Sequence, residues 1–323
     1  MTTQRSRKRG RKHRNKTKRR QCHQHHQRGG DSGAGAPPVC SPKPKGAKKS
    51  FTCYTDDGLK KLKDAWNKRA VGARDTEKIT ATQSKDIHRD LAANLRNKCA
   101  TNEACWLDAL SPTGGAEIAK ASFAPESPAS WDKNPNEWLS SDEIEDVMEQ
   151  FEAAYPCFEF IGPSPIDFDA RSGTGCVWKE LCKFSMADKI RQGKFKIGMI
   201  FNTDKHTGPG QHWISMFVNA RKSPPTIFYF DSTGDDMPAQ IRTLVDRIVA
   251  QGATMRPPLR FVVDSNEGVE HQYGNTECGV YSLFFIVHML EDKITANYLK
   301  THILKDKYME KFRRVYFNRA GVL

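Results

Sequence analysis

The sequence predicts an α+β protein: a mixed sheet packed on one fully buried helix, with a helical region and a basic arm ahead of it. Three observations carry that prediction. Four short runs rich in β-branched and aromatic residues, KFKIGMIFNT (194–203), HWISMFVNA (212–220), TIFYFDS (226–232) and LRFVVDS (259–265), are bounded by turn formers and read as strands. Between the last two lies a helical stripe of Ile241, Leu244, Val245 and Ile248. After the last strand comes a Gly/Asn turn and then CGVYSLFFIVHML (278–290), apolar nearly all round, the pattern of a helix buried on every side.

The elements before this core follow in order. Residues 1–50 hold 16 Lys and Arg and one acid, Asp31, a net of +15, whereas the other 273 residues carry 35 bases and 37 acids. The near-neutral body is long enough for one large core or two smaller ones. Residues 1–30 are a basic arm and 31–50 a Gly/Ala/Pro/Lys linker. Without aromatic residues, this segment cannot offset its ordering entropy by burial and is expected to be disordered. Such an arm binds nucleic acid by counterion release, or serves as a nuclear import signal. Its Cys22, His23, His25 and His26 are metal-capable in type, but no metal site is assigned to them. Residues 51–125 read as helical, with Leu59, Leu62, Ala65 and Trp66, then Ile87, Leu91, Ala92 and Leu95, at helical spacing. The stretch SPTGGAEIAKASFAPESPAS (111–130) reads as loop or linker. Ser140 and Glu143 have capping-box spacing ahead of Ile144, Val147, Met148 and Phe151, and Phe158 to Phe168 reads as a short strand and turn. The expected division is 1–50 arm and linker, 51–125 helical domain and 126–323 the α+β domain built on the buried helix.

Several classes are excluded. The Lys/Arg-rich start has no apolar run behind it, so no secretory signal is expected. The longest apolar stretch, Tyr281 to Leu290, is about half the roughly 20 residues that a membrane span needs. Nine Cys without a CxxC pair give no zinc-ribbon or dithiol redox motif. They fit an intracellular reducing setting in which most are small buried hydrophobes. Neither a metal nor an organic cofactor enters this reading, and no membrane partner is expected.

The chemistry gathers near the buried helix. Cys278 stands at its N-terminus, where unpaired backbone N–H groups favour a thiolate. Gln272, six residues earlier, can bring an amide N–H beside the sulfur and form an oxyanion hole with the Cys278 N–H. His212 starts a strand next to Trp213, and Asp231 ends the following one; antiparallel pairing would bring them together. Singly, each is a common structural residue. In this order they form a nucleophile, base and orienter set. His206 lacks the adjacent Trp, and His271 is too near Cys278 in the chain to face it across a strand.

His212-Trp213, Tyr229-Phe230-Asp231-Ser232 and Gln272-Tyr273-Gly274-Asn275-Thr276-Glu277-Cys278-Gly279 together resemble the ubiquitin-like-protein-specific proteases and their adenovirus-type relatives. The family's acid before the nucleophile is usually Asp, and here it is Glu277. Trp138-Leu139 is similar to that family's element ahead of a substrate-facing helix. With Trp66-Asn67, Cys99 and Cys105-Trp106 it resembles the versions encoded by large DNA viruses.

The resemblance implies a papain-like, adenain-type core. It makes Cys278 the nucleophile, His212 the base, Asp231 its orienter and Gln272 the oxyanion-hole residue, with Trp213 and Trp138 facing substrate. It implies cleavage after Gly-Gly or Gly-x-Gly sequences, the partner being a viral polyprotein during virion maturation or, alternatively, a ubiquitin-like conjugate. A basic nucleic-acid-binding protein with an inactive protease-like core is the reading from another class.

Residues 1–50 should carry nearly all attraction to nucleic acid. With about 8 phosphate contacts, log K should fall against log salt with a slope of about −7 on duplex DNA. A chain starting at Ser50 should lose most of that slope in a salt-titrated binding assay and keep its hydrolysis of a short glycine-containing peptide. Loss of peptide activity in a folded truncated chain would place the arm within the catalytic machinery.

Overall fold

The computed structural model describes residues 38–43, 50–70, 78–173 and 175–318. The basic arm at 1–30 and most of the linker, with Cys22, His23, His25 and His26, lie outside the described residues. Linker residues 38–43 are ordered against expectation, because the Cys40–Cys53 disulfide and backbone bonds from Ser41 to Ser122 and from Ala124 to Val39, both 2.9 Å, tie them to the body.

The helical block contains α1 (Asp56–Ala70), α2 (Ser84–Cys99), α3 (Cys105–Leu110) and α4 (Gly115–Ser122). Leu59, Leu62, Ile87, Leu91, Leu95, Trp106 and Ile118 form an apolar cluster of their own there. The α4 helix corrects the loop expected over 111–130. Gly114, at φ +73°, is a turn residue, but the GAEIAKAS run behind it is rich in helix formers, and Ile118 is buried, its methyl facing Gly58 of α1.

A short 3-10 turn (Ala129–Asp132) leads to α5 (Ser141–Ala154), started by the expected capping box, with the Ser140 N–H donating to Glu143 at 2.6 Å. Next come β1 (Phe158–Pro165), the small pair β2 (Arg171–Ser172) and β3 (Gly175–Cys176), α6 (Lys179–Cys182) and α7 (Met186–Arg191). The four strands read from the sequence are β4 (Lys196–Asn202), β5 (Trp213–Asn219), β6 (Thr226–Phe230) and β7 (Val262–Ser265). The stripe between β6 and β7 is α8 (Ala239–Thr254), and the apolar run is α9 (Cys278–Leu290). Two elements not anticipated close the chain, α10 (Ala296–Thr301) and α11 (Asp306–Tyr316).

The five-stranded sheet runs β1-β4-β5-β6-β7, antiparallel at β4–β5 and β5–β6 and parallel at both edges. Alternation divides its side chains between two cores. Ile200, Trp213, Phe217, Phe228 and Phe230 face α5, α9 and α11. Ile197, Met199, Phe201, Ile214, Met216, Val218, Ile227 and Tyr229 face α7 and α8. Every residue of α9 is buried. Its many Leu, Ile, Val and Phe side chains, at about 1.5–3 kcal/mol each, make it the largest apolar contributor to this core. Lys196 caps its far end, donating to the Leu290 carbonyl at 2.6 Å and pairing with Asp292 at 2.9 Å.

The cysteines differ from expectation. Cys40–Cys53, Cys99–Cys105 and Cys176–Cys182 are disulfides, with Cα separations of 5.0, 5.5 and 6.6 Å. Two of the pairs are only six residues apart, at helix ends and a tight β-pair where the backbone turns back. Turns of this kind present no CxxC signal. Cys278 keeps its thiol.

The approach of α9 to the sheet depends on Gly198, where an added Cβ would lie 2.7 Å from an Ile286 methyl and 3.0 Å from the Phe158 ring. Gly198→Ala should therefore destabilise by about 1–3 kcal/mol through overpacking, read as a lower denaturation midpoint at unchanged m. Gly193→Ala is a poor control because its φ is +82°, so Gly175→Ala, with open space around it, serves instead and should have little effect. Equal midpoints for Gly198→Ala and Gly175→Ala would show that the contact is slack.

Candidate active site

Cys278 is the first residue of α9 and 2% exposed. The next residue cannot carry a side chain, since a Cβ on Gly279 would meet the Leu139 side chain at 2.8 Å. The carbonyl of Leu139 accepts the Trp213 indole N–H at 2.9 Å. One residue, Leu139, is thus fixed from both sides next to Cys278. Trp138 beside it is 43% exposed, whereas Trp213 is 7% exposed. Of the two expected substrate-facing tryptophans, Trp138 presents open surface and Trp213 is largely packed beneath.

His212 immediately precedes β5. The loop that delivers it is held by Asn202, whose Oδ1 accepts from the Asp204 N–H at 2.9 Å and the Gln211 N–H at 3.0 Å. The β5–β6 register pairs Ser215 with Phe230, so Asp231, just past β6, arrives beside the start of β5. His212 Nε2 lies 2.7 Å from Asp231 Oδ1, and Cys278 lies near enough to the ring to help raise its pKa. With Nε2 on the carboxylate, Nδ1 is the nitrogen left for the sulfur.

The electrostatics follow from these contacts. Burial alone pulls the imidazole pKa down, but the hydrogen bond to Asp231 and the nearness of Cys278, with the charges behind them, push it up to about 10. Burial likewise works against the Asp231 carboxylate, yet His212 and the Thr233 N–H and hydroxyl, at 3.0 and 2.8 Å, hold its pKa below the usual carboxylate value. Burial and the nearby Asp231 raise the Tyr229 hydroxyl, which stays a donor to Asp231 Oδ2 at 3.3 Å.

Gln272 is 4% exposed. Its Oε1 accepts the Ser232 hydroxyl at 2.7 Å, which fixes the amide orientation, and Nε2 donates one hydrogen to the Gly274 carbonyl at 3.1 Å. The second Nε2 hydrogen is left for a ligand. Asn266, fully buried, clamps Asp231 by accepting its N–H at 3.0 Å and donating to its carbonyl at 2.6 Å. Ser232 and Asn266 were missed as functional residues. Ser232 stood inside the Phe-Asp-Ser run, but Asn266 sits in a turn and gave no signal of its contact. The two histidines set aside as bases lie elsewhere: His206 pairs with Asp167 at 2.7 Å, and buried His271 accepts the Leu304 N–H at 3.1 Å. Among the described residues, no three His, Cys, Asp or Glu side chains gather as a metal site.

A thiol on a helix N-terminus with an imidazole and carboxylate in line defines the class of cysteine proteases. The chain belongs to the Ulp1 protease family, residues 144–320 matching that family's C-terminal catalytic domain. It is 26% identical over 295 residues to a protein named as a thiol protease in Acanthamoeba polyphaga mimivirus, covering 86% of this chain and 93% of that one. It is 26% identical over 252 residues to a cysteine protease of African swine fever virus, covering 73% and 91%. The crystal structure of an African swine fever virus protease shares the fold, with a TM-score of 0.59 at 20% identity over 88% of this chain and 97% of that one. No helix among the described residues is long and apolar enough to cross a membrane.

The imidazole of His212 should titrate near 10 by NMR of its ring protons, and Asp231→Asn should bring it down. Because the folded pKa is raised, its stabilising contribution is present in full below the unfolded value of about 6.5 and is lost as pH rises through the folded value. Thermal melts should show that loss in the native chain and not in His212→Ala.

Proposed function

We propose that the chain is a cysteine endopeptidase that cleaves a protein substrate after glycine, in Gly-Gly or Gly-x-Gly sequences. The observation that carries this is the His212 ring, 2.7 Å from Asp231 at the end of β6 and near enough to Cys278 at the start of α9 for the two to interact electrostatically. In this reading the Cys278 sulfur attacks the scissile carbonyl carbon while His212 holds the thiol proton. His212 then gives that proton to the leaving amine, and the acyl-enzyme remains. Water, deprotonated by His212, attacks the thioester and frees the new carboxylate. Asp231 keeps the ring oriented and stabilises its charged form. The oxyanion accepts from the Cys278 N–H and the free Nε2 hydrogen of Gln272, where one donor is worth roughly 10²–10³ in turnover.

The glycine preference has support in the crowding near the sulfur. Trp213 and Leu139 share the apolar cluster of Cys278, and Trp138 rises beside them. A residue without a side chain passes most easily under such a rim. The virus-encoded relatives, spanned over nine-tenths of their length, support a viral cysteine protease, whose substrate in this reading is a viral polyprotein. In this reading 126–323 is the catalytic domain, 51–125 a helical domain, and 1–50 the arm that keeps the enzyme on nucleic acid.

A peptide-library cleavage assay tests the proposal. Cys278→Ala should abolish turnover and His212→Ala nearly so, while His206→Ala should not; Asp231→Asn should be impaired less than His212→Ala. Activity surviving in Cys278→Ala, or cleavage without glycine before the cut bond, would defeat it. A ubiquitin-like fusion in the same assay tests the deconjugase alternative: selective cleavage of that fusion, with free peptides untouched, would replace the endopeptidase reading.

A further inference from the structure

Gln272 and Cys278, the two residues taken above to form the oxyanion hole, are joined by five residues that do little to hold themselves. Tyr273, Gly274 and Asn275 are exposed, and the Tyr273 side chain is 67% exposed, so this stretch has no apolar anchor. Gln272–Gly274 and Thr276–Glu277 hydrogen bonds hold it locally, and α11 anchors it to the rest of the fold. Asp306, the first residue of that helix, accepts the Tyr273 N–H at 3.0 Å and the Gly274 N–H at 2.9 Å on one oxygen. Its other oxygen is 2.9 Å from the Tyr281 hydroxyl of α9. Two turns further on, Arg313 donates from Nη2 to the Thr276 carbonyl at 3.1 Å.

Arg313 is an expensive residue to place here. It is 5% exposed, its Nε and Nη1 have no hydrogen-bond partner, and its guanidinium lies over the Trp131 ring at 4.7 Å. Burial lowers its pKa against the opposing attraction of Glu277 and Cys278, so the cation faces the start of α9. The helix that carries both residues is fixed to α9, Phe312 packing edge-on against Phe284 with ring centroids 4.7 Å apart. Asp306 and Arg313 thus hold the two ends of residues 273–276 in the frame of the nucleophile helix.

We propose that Asp306 and Arg313 are positioning residues for hydrolysis, holding the 273–276 segment so that the Gln272 amide and the Cys278 N–H converge on one oxygen. The proposal rests on the peptidase reading above. Neither residue touches the substrate. The effect acts through oxyanion geometry, which tetrahedral adducts need and simple alkylation of the sulfur does not.

That difference is the test. Full-length chain and the variants Asp306→Ala, Asp306→Asn and Arg313→Met are compared in peptide turnover, inhibition by a glycine-ended peptide aldehyde and alkylation of Cys278 by iodoacetamide. Asp306→Ala should lower kcat and aldehyde affinity together by about tenfold or more, as loss of a well-aimed oxyanion donor does. KM and the alkylation rate should stay within about twofold. Asp306→Asn should recover most of the loss, since its Oδ1 can accept the same two N–H groups. Arg313→Met should follow Asp306→Ala where it folds, and the Asp306 pair decides the matter where it does not. Unchanged kcat in folded Asp306→Ala overturns the proposal, as does a parallel fall in alkylation, turnover and melting temperature. An inactive native chain would instead sink the peptidase reading, and this proposal with it.

Discussion

The structure depends on the burial of α9 from end to end. A helix with no polar face can exist in water only when other elements cover it completely, and here β4, β5, α5 and α11 do so. Close approach is obtained at two glycines, Gly198 under Ile286 and Gly279 under Leu139. The first settles the helix on the sheet. The second brings α9's first turn against the chain just before α5. A fixed helix has a fixed N-terminus, and Cys278 is that N-terminus.

The groups around the sulfur inherit this rigidity from different elements. His212 and Asp231 come from adjacent ends of β5 and β6, so the sheet register that orders the core also sets their separation. Gln272 is anchored to the residue after Asp231 through both its backbone, at 2.8 Å to the Ser232 carbonyl, and its side chain. The Asp231 and Gln272 positions are therefore not independent. Displacing the turn after β6 moves both, and Asn266 secures that turn from a third segment. A site assembled from β5, β6, the 266–272 segment and α9 is then held by hydrogen bonds between its parts.

Much of this was legible in the sequence because it obeys simple periodicities. The strands β4, β5 and β6 are bounded by turn formers, and α9 has no polar face to mistake. The order of His212-Trp213, Asp231-Ser232 and Gln272 to Cys278 was legible as a joint pattern when no single residue was. What escaped depends on tertiary contact. Nothing local marks Asn266 as the clamp of Asp231, and the Gly114-Gly115 pair reads as a linker although it opens α4. The disulfides were not legible because an odd cysteine count without a secretory signal points to a reducing setting, and pairs six or thirteen residues apart carry no spacing signature. Met309, Phe312 and Tyr316 stand at helical spacing and are buried, so α11 was readable. Asp306 and Arg313, by contrast, take their meaning only from contacts with the 273–276 segment.

The charged groups show how such a site stays folded. A lone buried carboxylate would be costly, and Asp231 is 3% exposed. It does not rely on His212 alone, because the Thr233 N–H, the Thr233 hydroxyl and the Tyr229 hydroxyl also donate to it. Those three donors keep the carboxylate satisfied whatever the proton content of the imidazole. The reverse does not hold, since Asp231 and Cys278 are what keep the His212 pKa high. The carboxylate is thus part of the scaffold, whereas the imidazole is the group whose proton content is free to change. That asymmetry suits a reaction in which one proton must leave the sulfur, reside on the ring and move on to the leaving group while the backbone around them stays still.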